Sequence, residues 1–272
     1  MGGVLQVVFS AILGASLGSF FNVAAHRSVT GRPWWGRERS VCESCGKELS
    51  AWELVPLVSW VLQRGRCRSC GARISLRYLV VEVVGAAAAG LMAWRWGLSW
   101  AYVLSMTAVC GFLINSLTDY ESGDVFDAFA LMTGLAGLAI RLAGGWGALL
   151  DGLVGVVAGW GLFAAIILSS RLIMGQDGMG WGDACFMGGM GAVYGWKMTL
   201  LAFYMGIMCG GVGSLWLLFR GKVRWGRHDA FALVPYLSAG GFLTLLFGPW
   251  LLGVIGLRFQ YFPLVFQTGW PW

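Results

Sequence analysis

Long apolar runs separated by short polar breaks make up most of the chain. They cover residues 4–25, 79–94, 100–117, 129–140, 148–173, 184–193, 198–219 and 231–257. About 20 apolar residues cross the ~30 Å hydrocarbon core of a bilayer as a helix. The run at 129–140 extends at both ends and that at 184–193 is short; counted with the others, they predict about eight transmembrane helices. Residues 27–77 break the pattern, being charged and rich in turn residues, and predict a small water-exposed domain. The expected fold is an all-α polytopic membrane protein. Its parts are a first span (1–26), an intervening domain (27–77) and a membrane core (78–272). No basic stretch precedes the first run and His26-Arg27 follows it, whereas a cleaved signal peptide carries its positive charge in front. Gly14 and Gly18 give that span the G-x-x-x-G spacing that lets helices pack closely in lipid.

Composition agrees, with 58% hydrophobic and 12% charged residues and a mean hydropathy of +0.71. A soluble domain is about half apolar and about a quarter charged. The net charge of +6 could suggest nucleic acid, but its distribution excludes that class. Ten of the nineteen basic residues fall in 27–77, and four more (Arg220, Lys222, Arg224, Arg227) precede the last run. Basic loops stay in the cytoplasm. With the N-terminus outside, the loops 27–77, 118–127, 171–182 and 220–229 share one face and hold fifteen of the nineteen. Arg95, Arg141, Lys197 and Arg258 are left on the other. The charge is a topology signal, and membrane lipid with anionic headgroups is the partner it suits.

Four of the seven cysteines form two copies of C-x-S-C-G, Cys42-Glu43-Ser44-Cys45-Gly46 and Cys67-Arg68-Ser69-Cys70-Gly71. Each copy can turn tightly and present two thiolates. Four sulfurs suit a closed, structural Zn²⁺ site, and redox-active thiols are the alternative. A segment of this size with few large apolar groups has little core of its own, so a metal staple has a physical purpose.

Asp183, one of seven aspartates, opens an apolar run behind the glycines of Gly178-Met179-Gly180-Trp181-Gly182-Asp183. A carboxylate at the mouth of a membrane segment is costly and reads as functional, although an N-cap also accounts for it. The charge partition puts Asp119 on the same face, at the end of the run 100–117 and at the head of Asp119-Tyr120-Glu121-Ser122-Gly123-Asp124-Val125-Phe126-Asp127. That stretch also fits a solvated loop, and Asp127 fits an N-cap. Asp177 reads as a loop acid, and His26, His228 and Asp229 as residues of span boundaries. Two carboxylates in a low-dielectric site share one proton. One can then activate water while the other polarises a peptide carbonyl, which is aspartyl-protease chemistry.

Taken in order, the chain resembles the type IV prepilin peptidases. The resemblance rests on Gly18-Ser19-Phe20-Phe21-Asn22 with His26-Arg27, both cysteine pairs, and Val55-Pro56-Leu57-Val58-Ser59-Trp60. It continues through Ile74-Ser75-Leu76-Arg77-Tyr78-Leu79-Val80-Val81-Glu82, the aspartate stretch from Asp119, and Gly178 to Asp183. The resemblance implies a catalytic pair at Asp119 and Asp183 and metal ligands at Cys42, Cys45, Cys67 and Cys70. It also implies cleavage of a basic leader after glycine, in type IV prepilins or type II secretion pseudopilins, at the cytoplasmic face of the bacterial inner membrane. S-adenosylmethionine would then donate a methyl group to the new N-terminus; no nucleotide fingerprint places the donor. Three positions depart from the family pattern: Phe126 for a proline, Cys185 for a lysine, and Phe231-Ala232-Leu233-Val234-Pro235 for a richer proline–glycine stretch. A non-catalytic scaffold with a zinc docking module is the alternative function.

Overall fold

Each apolar run forms an α-helix, since a backbone in lipid has to satisfy its own polar groups. A computed structural model describes residues 2–35, 39–176, 178–220 and 232–254. The helices are α1 (Gly2–Val29), α2 (Val58–Leu62), α3 (Leu76–Trp96), α4 (Trp100–Ser122), α5 (Asp127–Ala143), α6 (Trp146–Met174), α7 (Trp181–Tyr194), α8 (Trp196–Phe219) and α9 (Val234–Val254), with a 3-10 turn at Ala51–Leu54. Among the described residues the β structure is limited to two isolated bridges. Six helices, α1, α3, α4, α6, α8 and α9, are long and apolar enough to cross a bilayer. The other two expected spans are shorter: α5 has 17 residues and α7 has 14, about 25 and 21 Å of helix. Asp177, Lys222, Arg224, Arg227, His228, Asp229, Phe231 and Arg258 lie outside the described residues.

The chain divides into two compact units, Met1–Gly97 and Leu98–Trp272. In the first, α1 packs along α3 through the expected small-residue seam. A Cβ at Gly14 would collide with the Gly85 carbonyl, and one at Gly18 would lie 2.9 Å from the Val81 oxygen. The cysteine segment lies between these two helices.

In the second unit, α7 packs against α4, α5, α6 and α8, and eleven of its fourteen residues are buried. Small residues make this possible. Gly191 of α7 and Gly155 of α6 meet backbone to backbone, with no room for a Cβ on either. A short, sheathed helix carrying Asp183 near its start is the element around which the second unit is built.

Candidate active site

Asp119 lies in the last turn of α4, whereas the hydrophobic pattern placed it just beyond the helix. The helix continues to Ser122 because Gly123 adopts the left-handed conformation that ends it, with its N–H donating to the Asp119 carbonyl at 2.8 Å. The Asp119 side chain is only 5% exposed, so it is not a solvated loop acid. Its Oδ2 accepts the N–H of Val234, the first residue of α9, at 2.9 Å. That N–H has no partner within its own helix, so Asp119 joins the end of α4 to the start of α9.

Asp183 is the third residue of α7, and Gly180 occupies the N-cap position. Its N–H donates to the Gly180 carbonyl at 3.2 Å, and its carboxylate lies near the Gly180 backbone. A carboxylate in the first turn faces the positive end of the helix dipole. The three glycines before it do different things. Gly178 donates its N–H to Ser170 Oγ at 2.8 Å. A Cβ on Gly182 would sit 2.9 Å from Val125 Cβ and 3.2 Å from Asp124 Oδ1, so the Asp124–Val125 turn rests directly on it. Gly180 faces open space; a Cβ there would meet nothing nearer than Asp183 Oδ2 at 3.8 Å. This packing brings the carboxylates of Asp119, Asp124 and Asp183 within electrostatic range of one another.

The bacterial peptidase A24 N-terminal domain matches residues 12–96, and the type IV leader peptidase family matches residues 106–215. The prepilin leader peptidase/N-methyltransferase of Burkholderia pseudomallei (strain 1026b) is 32% identical over 269 residues, covering 90% of this chain and 86% of that one. Its namesake in Pseudomonas aeruginosa is 30% identical over 264 residues, with 89% and 90% covered. In Neisseria gonorrhoeae the figures are 30% over 261 residues, with 87% and 89%. The chain belongs to the type IV leader peptidase family. No solved structure matches it.

In this leader peptidase family chain the four cysteines form one cluster, with all four sulfurs within 4.8 Å of one another. The two C-x-S-C-G copies fold alike. Cys42 N–H donates to Lys47 O at 2.9 Å, and Cys67 N–H to Ala72 O at 2.8 Å. Gly46 and Gly71 close the turns with φ of 70° and 71°. Cys42 and Cys70 Sγ are 3.9 Å apart, close to the ~3.8 Å edge of a tetrahedron with Zn–S bonds of about 2.3 Å. Backbone N–H groups of Cys70 and Ser69 lower the Cys67 thiol to about 6, whereas burial and the neighbouring cysteines push Cys70 up to about 11. The cluster therefore holds one thiolate readily, and a bound cation would be needed to hold all four. The residues present fit a zinc ion.

Cys185 of α7 lies within electrostatic range of the Asp127 side chain at the start of α5. Asp127 is itself in the helix, with Phe126 at the N-cap.

The sequence reading missed one polar cluster. Arg141, counted there among loop charges, is 4% exposed in the last turn of α5. Its Nε and Nη2 donate to Val193 O at 3.1 and 3.0 Å, and its Nη1 donates to Ala148 O at 3.1 Å and Asp151 Oδ2 at 3.0 Å. Asp151 also lies near the Trp196 backbone at the start of α8. Opposite charges ten residues apart, flanking the break between two apolar runs, were the available signal.

Proposed function

We propose that this chain is a membrane aspartyl endopeptidase of the prepilin leader peptidase/N-methyltransferase type, with Asp119 and Asp183 as its dyad. The observation that carries the reading is the convergence of these two carboxylates, one at the end of α4 and one at the start of α7. The Asp124–Val125 turn, packed on Gly182, supports it. One carboxylate takes a proton from water as that water attacks the scissile carbonyl. The other, protonated, donates to the carbonyl oxygen, and the proton gained by the first passes to the leaving amine. Substrates are type IV prepilins or type II secretion pseudopilins with a basic leader cut after glycine. Open space at Gly180 beside Asp183 suits an extended peptide.

Cys42, Cys45, Cys67 and Cys70 would hold Zn²⁺, closing the segment between α1 and α3 with no open coordination position. S-adenosylmethionine would supply the methyl group for the new N-terminus; among the described residues no fingerprint places it. The charge partition supports an N-terminus outside and an active site at the cytoplasmic face of the bacterial inner membrane. The division into a first span (1–26), a zinc domain (27–77) and a protease core (78–272) belongs to the same reading.

The test is cleavage of a purified prepilin by protein reconstituted in liposomes. Asp119→Asn and Asp183→Asn should each abolish product while insertion and zinc content stay normal. Processing at a near wild-type rate by either variant removes that residue from the dyad and leaves the scaffold alternative standing.

A further inference from the structure

The segment between α1 and α3 is not uniformly polar. Trp52 is 81% exposed, Val61 60% and Leu62 68%, and Val58 and Leu54 are exposed too. Val58, Val61 and Leu62 stand at i, i+3 and i+4 on α2, so they share one face. An apolar face of this kind on a small water-surrounded module marks an interaction surface.

Its depth relative to α3 is fixed by one hydrogen bond. Glu82 Oε2 accepts the N–H of Leu57 at 2.7 Å, and Glu82 lies six residues into α3, about 9 Å along its axis. The residue just before α2 therefore lies alongside a spanning helix instead of beyond its end. A second bond lies near the start of that helix, where Arg77 Nε donates to the buried Asn22 Oδ1 of α1 at 3.2 Å. The backbone at Leu57 is bent to reach Glu82. Leu57 has φ 64° and ψ −52°, and Val58 N–H closes a three-residue turn on Pro56 O at 2.7 Å. Side-chain-bearing residues seldom adopt that turn, and Glu82, itself buried, holds it.

We infer that the stretch from the 3-10 turn through α2 lies in the lipid interface beside α3, with the bilayer of the same membrane covering its apolar face. Both ends of the segment run into spanning helices, so the bilayer surface is always within reach. Interfacial helices combine apolar residues and tryptophan on one side with basic residues that meet anionic headgroups. Here Arg64, Arg66 and Arg68 directly follow α2. The same positive charge repels a basic leader peptide, so under the proposed function the substrate's leader is disfavoured as the occupant. The inference revises the expectation that residues 27–77 are wholly water-exposed, and it does not depend on the catalytic assignment.

Spin labels test it without disturbing the cysteines. p-Acetylphenylalanine at position 52, 61 or 43 accepts a ketone-reactive nitroxide, and Glu43, exposed in the first cysteine turn, is the water reference. The full-length protein, checked for zinc, goes into vesicles of phosphatidylethanolamine and phosphatidylglycerol. Relaxation by oxygen is then compared with relaxation by a water-soluble nickel chelate. The oxygen-to-nickel ratio should be several-fold higher at 52 and 61 than at 43. A ratio at 61 equal to that at 43 overturns the inference. Shielding of 61 from both agents overturns it as well, in favour of a second copy of the chain on this face.

Discussion

Replacing Arg141 by Met removes a buried guanidinium that connects three helices: α5, which carries it, α6 through Ala148 O and Asp151, and α7 through Val193 O. The last carbonyls of a helix have no partner inside it. α7 spans only about 21 Å, so its end stops short of crossing a core ~30 Å thick and needs a protein donor there. In the variant, Val193 O loses both bonds and Asp151 loses its cation. Breaking one side of a buried ion pair costs about 3–5 kcal/mol. Two features reduce this. Asp151 is 17% exposed at its side chain and keeps the nearby charge of Lys197. Hydrogen bonds in membrane proteins also average only about 0.6 kcal/mol in double-mutant cycles. The expected cost is therefore about 3 kcal/mol, at the low end of the range. Reversible unfolding in mixed detergent micelles measures it for Arg141→Met, Asp151→Asn and the pair. The double variant should cost clearly less than the two singles added together, because the second change relieves a charge stranded by the first. A cost below about 1 kcal/mol for Arg141→Met, or strict additivity, would refute the view that this pair anchors the far end of α7.

Other expectations follow from single contacts. Cys67→Ser should release most of the bound zinc, read by metal analysis, and raise amide exchange across residues 40–73; retained stoichiometric zinc counts against the four-sulfur site. Gly180→Val and Gly182→Val should separate access from packing. The first meets open space and should leave thermal stability within about 0.5 kcal/mol while blocking leader cleavage. The second drives into Val125 and should destabilise by about 1–3 kcal/mol. Unchanged cleavage in Gly180→Val would deny that the peptide passes there. Gly14→Leu should separate α1 from α3, and a disulfide-trapping pair across that seam would lose its crosslinking yield; an unchanged yield would contradict the contact at Gly85.

The cysteines were legible because their signal is local: spacing within each copy, and one copy repeating the other. Asp119 and Asp183 stood out as candidates because a carboxylate in an apolar run has to be explained. What the pattern could not supply was the backbone group that each of these side chains meets. Asp119 receives the Val234 N–H from 115 residues away, and a main-chain donor leaves no mark in side-chain periodicity. Glu82 receives the Leu57 N–H, and Arg141 serves the Val193 carbonyl. Asp151 lies beside the Trp196 backbone, and Asp183 beside that of Gly180. All five charged side chains lie in or at the ends of apolar runs, and all five meet a backbone group at a turn or a helix terminus. Water cannot satisfy those groups inside a bilayer, so a short helix or a bent turn creates a demand that a charged side chain elsewhere meets. The misreading of Arg141 has the same origin. Treating 184–193 as a full span put every helix end in water, where the carbonyls of Val193 and its neighbours would need no protein donor. A run of only ten residues was the visible sign that α7 ends inside the protein. Given that ending, a buried cation near it is what the chemistry requires.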